Sequence, residues 1–215
     1  MIADEEHVRL QGVRGDCQRE FAEAAAEDGI ELQPQSFSWL CQQGHLALPD
    51  EARKAADLLE RIYLALGGDL DVLATARRTR LPGDFVHEPT GTLIEIDESQ
   101  HFTSARLTAL DLYPDDVALG FDLDHYKALC RKWRQASDGY YRKKAAPGFG
   151  VGGRQRQRAY YDALRDLAAP SMGQPPVIRI DVPLREGRVA YRTRRERLVR
   201  LANETAPDDL VSLGN

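Results

Sequence analysis

Residues 92–97 limit the possible folds more tightly than any other segment, because their side chains alternate as Thr-Leu-Ile-Glu-Ile-Asp. Alternation with a period of two predicts a strand. Residues 89–91, Pro-Thr-Gly, stand just before it and supply the residue types of a tight turn. Another strand is predicted within residues 70–87, ending near residues 84–86. The two segments together predict an antiparallel hairpin.

Helical periodicity and one further alternating segment complete the predicted secondary structure. Helices are predicted over residues 16–28, 50–66, 122–135, 154–168 and 188–201, and a further strand over residues 177–182. These elements predict an α/β fold with a mixed central sheet flanked by helices and a helical, basic C-terminal extension. The expected regions are an N-terminal helical segment at 1–48, an α/β core at 49–183 with a basic helical insertion at about 121–168, and an Arg-rich segment at 184–215.

Composition excludes several classes of protein. Of the 215 residues, 42% are hydrophobic and 29% are charged, which is typical of globular proteins and not of collagenous or disordered chains. The three cysteines, Cys17, Cys41 and Cys130, form no Cys-x-x-Cys motif, and this favours a reducing cytoplasm. The first residues are acidic, unlike a signal peptide, and no apolar stretch reaches the roughly 18 residues of a membrane span. A cytoplasmic protein without a membrane segment is therefore expected.

The net charge of minus 5 conceals an uneven distribution along the chain. Residues 1–130 contain 11 basic and 25 acidic residues, whereas residues 131–215 contain 18 basic and 9 acidic residues. An asymmetry of this kind indicates that the C-terminal part contacts a polyanion.

Basic and aromatic residues interleave between residues 131 and 166. Lys and Arg neutralise phosphates, aromatic rings stack on unpaired bases, and the glycines of residues 147–153 let backbone amides approach a phosphate. The predicted nucleic-acid contacts are Arg131, Lys132, Arg142, Lys143, Lys144, Arg154, Arg156 and Arg158. The alternative interpretation is a solvated pair of helices joined by a flexible linker.

Three carboxylates and an imidazole are predicted to gather at the end of the hairpin. Asp84 ends the first strand, Glu95 and Asp97 share one face of the second, and His101 follows shortly after. Carboxylates at this density repel each other, and a hard cation such as Mg²⁺ prefers such oxygen ligands. The alternative is an acidic surface hairpin that binds no metal.

The order of helix, strand, Asp84, hairpin, Glu95-x-Asp97 and Gln100-His101 resembles the PD-(D/E)xK restriction-endonuclease-like superfamily. It is most similar to the branch of very-short-patch-repair-like endonucleases, and the resemblance covers residues 51–112. It implies a restriction-endonuclease-like core in which Asp84 and Glu95 bind Mg²⁺ or Mn²⁺ together with the backbone carbonyl of Ile96.

The resemblance also implies further residues and partners. Glu51 or Glu60, on the preceding helix, corresponds to an acidic residue that some members add to the site. Nucleic acid, DNA rather than RNA, is the expected substrate, and a homodimer and a bacterial defence or repair role are further expectations.

The sequence departs from the superfamily pattern at Asp97, where most members have Lys. Either His101 takes over part of the role of that Lys, as general base or acid, while Asp97 binds a second ion or positions water, or the site has lost activity. The first interpretation predicts a metal-dependent nuclease with Asp84, Glu95, Asp97 and His101 as catalytic residues. The second predicts a nuclease-like module that binds nucleic acid or protein without catalysis.

Overall fold

The computed structural model describes residues 15–35 and 37–203. The helices within these ranges are α1 (Asp16–Glu27), α2 (Arg53–Ala65), α3 (Leu70–Ala74), α4 (Ser104–Leu110), α5 (Leu123–Ser137), α6 (Arg154–Ser171) and α7 (Gly187–Asn203). The strands are β1 (Gln33–Pro34), β2 (Phe85–His87), β3 (Thr92–Glu98) and β4 (Ile178–Val182). Short 3₁₀ turns cover Gly44–Ala47, Asp50–Ala52 and Ser99–His101.

The four strands form one mixed sheet in the order β1-β2-β3-β4. The first three strands are antiparallel neighbours, and β4 pairs in parallel with β3. A parallel pair needs a long crossover connection, which here contains α4, α5 and α6. The expected α/β fold with a mixed sheet between helices is therefore confirmed.

The two faces of the sheet have different chemistry. One face is apolar, with Ile94 and Ile96 of β3 and Ile180 of β4 packed against α1 and α7. The opposite face presents Glu95 and Arg179, which contact α6, and Asp97, which pairs with Arg179. Because β3 is buried along its whole length, the acidic residues that it carries lie inside the protein.

Most of the predicted elements are confirmed, with shifts of a few residues at their ends. The hairpin forms as expected, with Phe85 opposite Ile94 and a turn after His87. The carboxylate of Asp122 caps α5 by accepting the backbone N–H of His125 at 2.9 Å. The C-terminal helical extension is α7, whose described part ends at Asn203.

Local structure differs from expectation in three places. Residues 70–74, at the start of the range in which a strand is predicted, form the helix α3, because the carboxylate of Asp69 accepts the backbone N–H groups of Asp71 and Val72. The elements β1 and α4 have no counterpart among the expected ones.

The described residues contain no disulfide, and Cys17, Cys41 and Cys130 are all buried as free thiols. None of the helices in the described part of the chain is long and apolar enough to cross a membrane.

Candidate active site

Asp84 and Glu95 are linked by a hydrogen bond just before the first residue of β2. Phe85, the first residue of β2, pairs with Ile94. The side chain of Asp84, one residue earlier, therefore reaches the backbone of β3 at Ile96. Oδ2 of Asp84 accepts the backbone N–H of Ile96 at 2.7 Å, and the backbone N–H of Asp84 donates to Oε1 of Glu95 at 3.4 Å. The hairpin thus brings together the two carboxylates that the sequence predicts as metal ligands.

Gly83 keeps open the space beside these carboxylates. A Cβ atom at this position would lie 2.4 Å from Cγ of Gln35 and 2.9 Å from Oε1 of Glu95. Both distances are shorter than van der Waals contact, so a side chain here would displace Glu95.

The two carboxylates line a cavity of about 440 Å³. Helix α6 forms much of its wall, and α1 contributes Gln18. The acidic, basic and imidazole side chains that line the cavity are those of Asp84, Glu95, His101, Arg154, Arg158, Asp162 and Arg165. The structure therefore brings Asp84, Glu95 and His101 to one cavity.

Burial makes both carboxylates unusually weak acids. Desolvation raises the pKa of Asp84 to about 6, and the nearby charge of Asp97 adds to the effect. Desolvation likewise raises the pKa of Glu95 to about 7, although Arg165 opposes the shift with Nε 3.2 Å from Oε1 of Glu95. A further cation between the two carboxylates would relieve this electrostatic cost.

Three oxygens at the cavity lack hydrogen-bond donors. No hydrogen bond from a described residue reaches Oδ1 of Asp84 or Oε2 of Glu95. Oε1 of Gln18 is buried and likewise has no hydrogen-bond partner among the described residues. These are hard oxygen donors of the kind that bind Mg²⁺.

The donor set fits a Mg²⁺ ion that keeps part of its water shell. Within residues 15–35 and 37–203, no three His, Cys, Asp or Glu residues are arranged to bind a metal ion on their own. Mg²⁺ is commonly held by only one or two carboxylates plus waters and substrate phosphates, and the carboxylates of Asp84 and Glu95 and the amide oxygen of Gln18 are donors of the type that it takes.

His101 is held between two carboxylates. Its Nδ1 lies 3.1 Å from Oδ1 of Asp97 and 3.2 Å from Oδ2 of Asp162. With Nδ1 engaged in this way, Nε2 is the ring nitrogen that has no hydrogen bond to a described residue. The imidazole therefore has a fixed orientation and one nitrogen available to the cavity.

Asp97 lies behind the cavity and does not line it. Its carboxylate is almost fully buried and contacts Arg179 at 2.9 Å and the hydroxyl of Tyr126 at 3.2 Å. Burial alone would raise the pKa of Asp97, but Arg179 and His101 outweigh it and hold that pKa below its ordinary value. Asp97 is thus an ionised carboxylate that fixes neighbouring side chains.

The predicted basic residues occupy three kinds of position. Arg154 and Arg158 line the cavity, and Lys144 lines an adjoining one that shares Asp84 with it. Arg156 donates instead to the backbone carbonyls of Leu66 and Phe149. The remaining four are exposed and line neither of these two cavities: Arg131, Lys132, Arg142 and Lys143.

Glu51 and Glu60 do not line the cavity either. Glu60 lies 3.7 Å from Nε2 of His45, and Glu51 is in an exposed 3₁₀ turn. The helix that carries Glu60, α2, reaches the cavity through Tyr63, and α1 reaches it through Gln18.

The sequence interpretation missed Gln18 and Asp162 as site residues, and the basic residues that it selected as contacts did not include Arg165. Asp162 and Arg165 share one face of α6 with Arg158, at spacings of four and three residues. That periodic row of charged residues was the available signal, because it predicts one helix face directed towards charged partners. For Gln18 there was no comparable signal.

Comparison with known proteins identifies a family without an assigned activity. A model of the family of unknown function DUF7255 matches residues 61–183, which include Asp84, Glu95, Asp97 and His101. No curated protein and no solved structure matches the chain.

Proposed function

The chain belongs to the family of unknown function DUF7255, and we propose that it is a Mg²⁺-dependent nuclease that hydrolyses phosphodiester bonds, with DNA as its substrate. The observation that carries the proposal is a cavity lined by Gln18, Asp84 and Glu95, each with an oxygen that has no hydrogen-bond partner among the described residues, and also by Arg154 and Arg158. Such a cavity offers separate places for a divalent cation and for an anionic phosphate.

The order of the strands supports a restriction-endonuclease-like core. An antiparallel β1-β2-β3 segment is followed by a helical crossover to the parallel strand β4. Asp84 and Glu95 lie on the two arms of the central hairpin, as the PD-(D/E)xK resemblance implies. Fold alone does not establish an activity, so the proposal rests on the residues of the cavity.

Asp84, Glu95 and Gln18 would hold the metal ion. When bound, Mg²⁺ supplies the positive charge that hydrolysis requires at the phosphate and at the attacking water. Arg154 and Arg158 bind the non-bridging phosphate oxygens and orient the phosphodiester within the cavity.

His101 transfers the proton through Nε2, as general base towards water or as general acid towards the departing oxygen. Asp97 and Asp162 hold the opposite ring nitrogen, so they fix the orientation of the ring. Asp97 is accordingly a positioning residue in this mechanism. The positive charge beside it comes from Arg179 of the neighbouring strand.

A non-catalytic module that binds nucleic acid or protein is the second candidate. Arg165 favours it, since its guanidinium already places a positive charge 3.2 Å from Glu95. A module of this kind needs the basic residues of the wall but neither a metal ion nor Asp84.

A cleavage assay separates the two candidates. Plasmid, linear and single-stranded DNA, with an RNA strand for comparison, are incubated with the protein in Mg²⁺ or Mn²⁺, alongside Glu95→Gln and a control, Glu51→Gln. Cleavage by the wild type and by Glu51→Gln, but not by Glu95→Gln, is the expected result. Salt-sensitive binding without cleavage in either metal would favour the binding module instead.

A further inference from the structure

A second groove runs along β4, away from the Asp84 cavity. Two adjoining cavities of about 570 Å³ and 280 Å³ lie there and share Arg197 and Arg200. Neither cavity has a lining residue in common with the cavity of Asp84 and Glu95. The walls are the start of α5 on one side and α7 on the other, and β4 is the last strand in the sheet order.

Arginine dominates the charge of this groove. Five arginines line the larger cavity, namely Arg179, Arg192, Arg194, Arg197 and Arg200. Its acidic residues are Asp122, Asp181 and Glu196. Arg179 forms ion pairs with the buried carboxylates. Asp181 pairs with Arg194 at 2.8 Å and with His125 at 3.3 Å. The carboxylate of Asp122 caps α5.

Three arginines are left without a carboxylate partner among the described residues: Arg192, Arg197 and Arg200. The same helix shows how its other arginines are satisfied. Arg188 and Arg195, which face α1, contact Glu27 at 2.6 Å and Asp28 at 2.7 Å. The arginines of α7 that face α1 are therefore neutralised, whereas the groove face has three arginines without a carboxylate partner among the described residues and one carboxylate, Glu196, that pairs with none of them.

The arginines of the groove also repel one another. Partial burial, together with the charges of Arg194 and Arg200, holds the pKa of Arg197 below its ordinary value. Holding several like charges at one groove has an electrostatic cost that an anionic ligand would remove.

We propose that this groove binds the phosphate groups of a nucleic-acid strand, as a second contact surface separate from the Asp84 cavity. Guanidinium groups bind phosphate oxygens in a bidentate manner. Arg192 and Arg200 are eight residues apart on one helix, a separation of roughly 12 Å along its axis, which exceeds the size of one phosphate group and suits a row of them. The proposal requires no cleavage and so goes beyond the proposed function.

The test is a binding titration with fluorescently labelled single-stranded and duplex oligonucleotides in EDTA, over a range of salt concentrations. The groove variant is Arg197→Gln with Arg200→Gln. The matched control is Arg188→Gln with Arg195→Gln, which removes the same charge from the other face of α7. Arg192→Gln, at an exposed position, is a second groove variant, and thermal unfolding verifies that all variants fold.

The groove variant is expected to bind more weakly and to lose two phosphate contacts. The slope of log Kd against log salt concentration would then fall by about 1.4 for a single strand or about 1.8 for a duplex, and the control would keep the wild-type slope. Equal slopes in the two double variants would overturn the proposal. So would a groove variant that loses binding of inorganic phosphate alone while its oligonucleotide binding stays unchanged, since the site would then serve free phosphate.

Because EDTA removes divalent cations, the titration reports on the groove whether or not the Asp84 cavity cleaves DNA. Absence of cleavage would refute the proposed function and leave this inference standing. Conversely, cleavage that depends on Glu95 with an unaltered salt slope in the groove variants would refute the groove alone.

Discussion

The guanidinium of Arg179 lies 2.9 Å from Oδ2 of Asp97, although the two residues are 82 positions apart in the chain. The same guanidinium contacts Asp166 at 2.7 Å and donates to the backbone carbonyl of Asp162 at 3.1 Å. Arg179 therefore connects β3, β4 and α6 through one buried side chain. It fixes the carboxylates that hold His101.

Replacing Arg179 by Met is expected to destabilise the protein strongly. Asp97 and Asp166 would then be buried without this cation, and breaking a buried ion pair from one side costs about 3–5 kcal/mol. Urea unfolding would measure the loss. Arg53→Gln is the matched control, because its exposed pair with Asp57 contributes less than about 1 kcal/mol. A loss for Arg179→Met no larger than for this control would show that the buried network does not support the fold.

His101→Gln is expected to lower the kcat of cleavage by roughly 10²–10⁴-fold, the usual contribution of a general acid or base. Asp162→Asn should lower kcat by less and leave KM nearly unchanged, since Asp162 orients the ring and transfers no proton itself. Steady-state kinetics at matched metal concentration would separate the two parameters. Asp111→Asn, a carboxylate on the surface, is the control. A change confined to KM in Asp162→Asn would argue against the positioning role.

The hairpin and the main helices could be predicted from the sequence because their patterns are local. The alternation over residues 92–97 and the turn at 89–91 determine β3 and its pairing with β2 without information from the rest of the chain. The same periodicity placed Asp84 and Glu95 together correctly. Pairing between neighbouring segments of this kind needs few long-range contacts.

The chemistry behind the hairpin could not be predicted, because it depends on distant segments. Asp97 is buried by Arg179 from β4, and His101 is held by a residue of α6 that lies 61 positions later. Alternation shows that Asp97 shares a face with Glu95, but not whether that face meets solvent or a helix. Gln18 reaches the cavity only because α1 packs across the sheet.

Divalent cations are expected to stabilise the protein at pH 8 through Glu95. In the metal-free protein, burial raises the pKa of Glu95 from 4.5 to about 7, so the folded state holds this proton more tightly than the unfolded chain. The stabilisation that the protonated Glu95 gives the folded state is therefore lost as the pH rises from about 4.5 to 7. Mg²⁺ should raise the Tm of the wild type at pH 8 and leave Glu95→Gln unchanged. An equal Tm shift in both proteins would place the metal elsewhere.

Acid should weaken the contact between α1 and α7 through Asp28. Hydrogen bonds from Arg195 and Tyr191 lower the pKa of Asp28 from 3.8 to about 2. Its stabilising contribution is thus complete above about pH 4 and is lost as the pH falls to about 2. The free energy of unfolding should therefore change less across this pH range in Asp28→Asn than in the wild type. An unchanged pH dependence in Asp28→Asn would show that the contact contributes nothing in solution.

Single-turnover cleavage of labelled DNA by Asp84→Asn tests the proposed catalytic centre most directly. The comparison uses the wild type and Glu88→Gln, an exposed carboxylate beyond the cavity, in saturating Mg²⁺, with binding measured separately in EDTA. Asp84→Asn is predicted to bind DNA like the wild type and to lose cleavage, while Glu88→Gln keeps both. Cleavage by Asp84→Asn at the wild-type rate would contradict the assignment of this cavity as the active site.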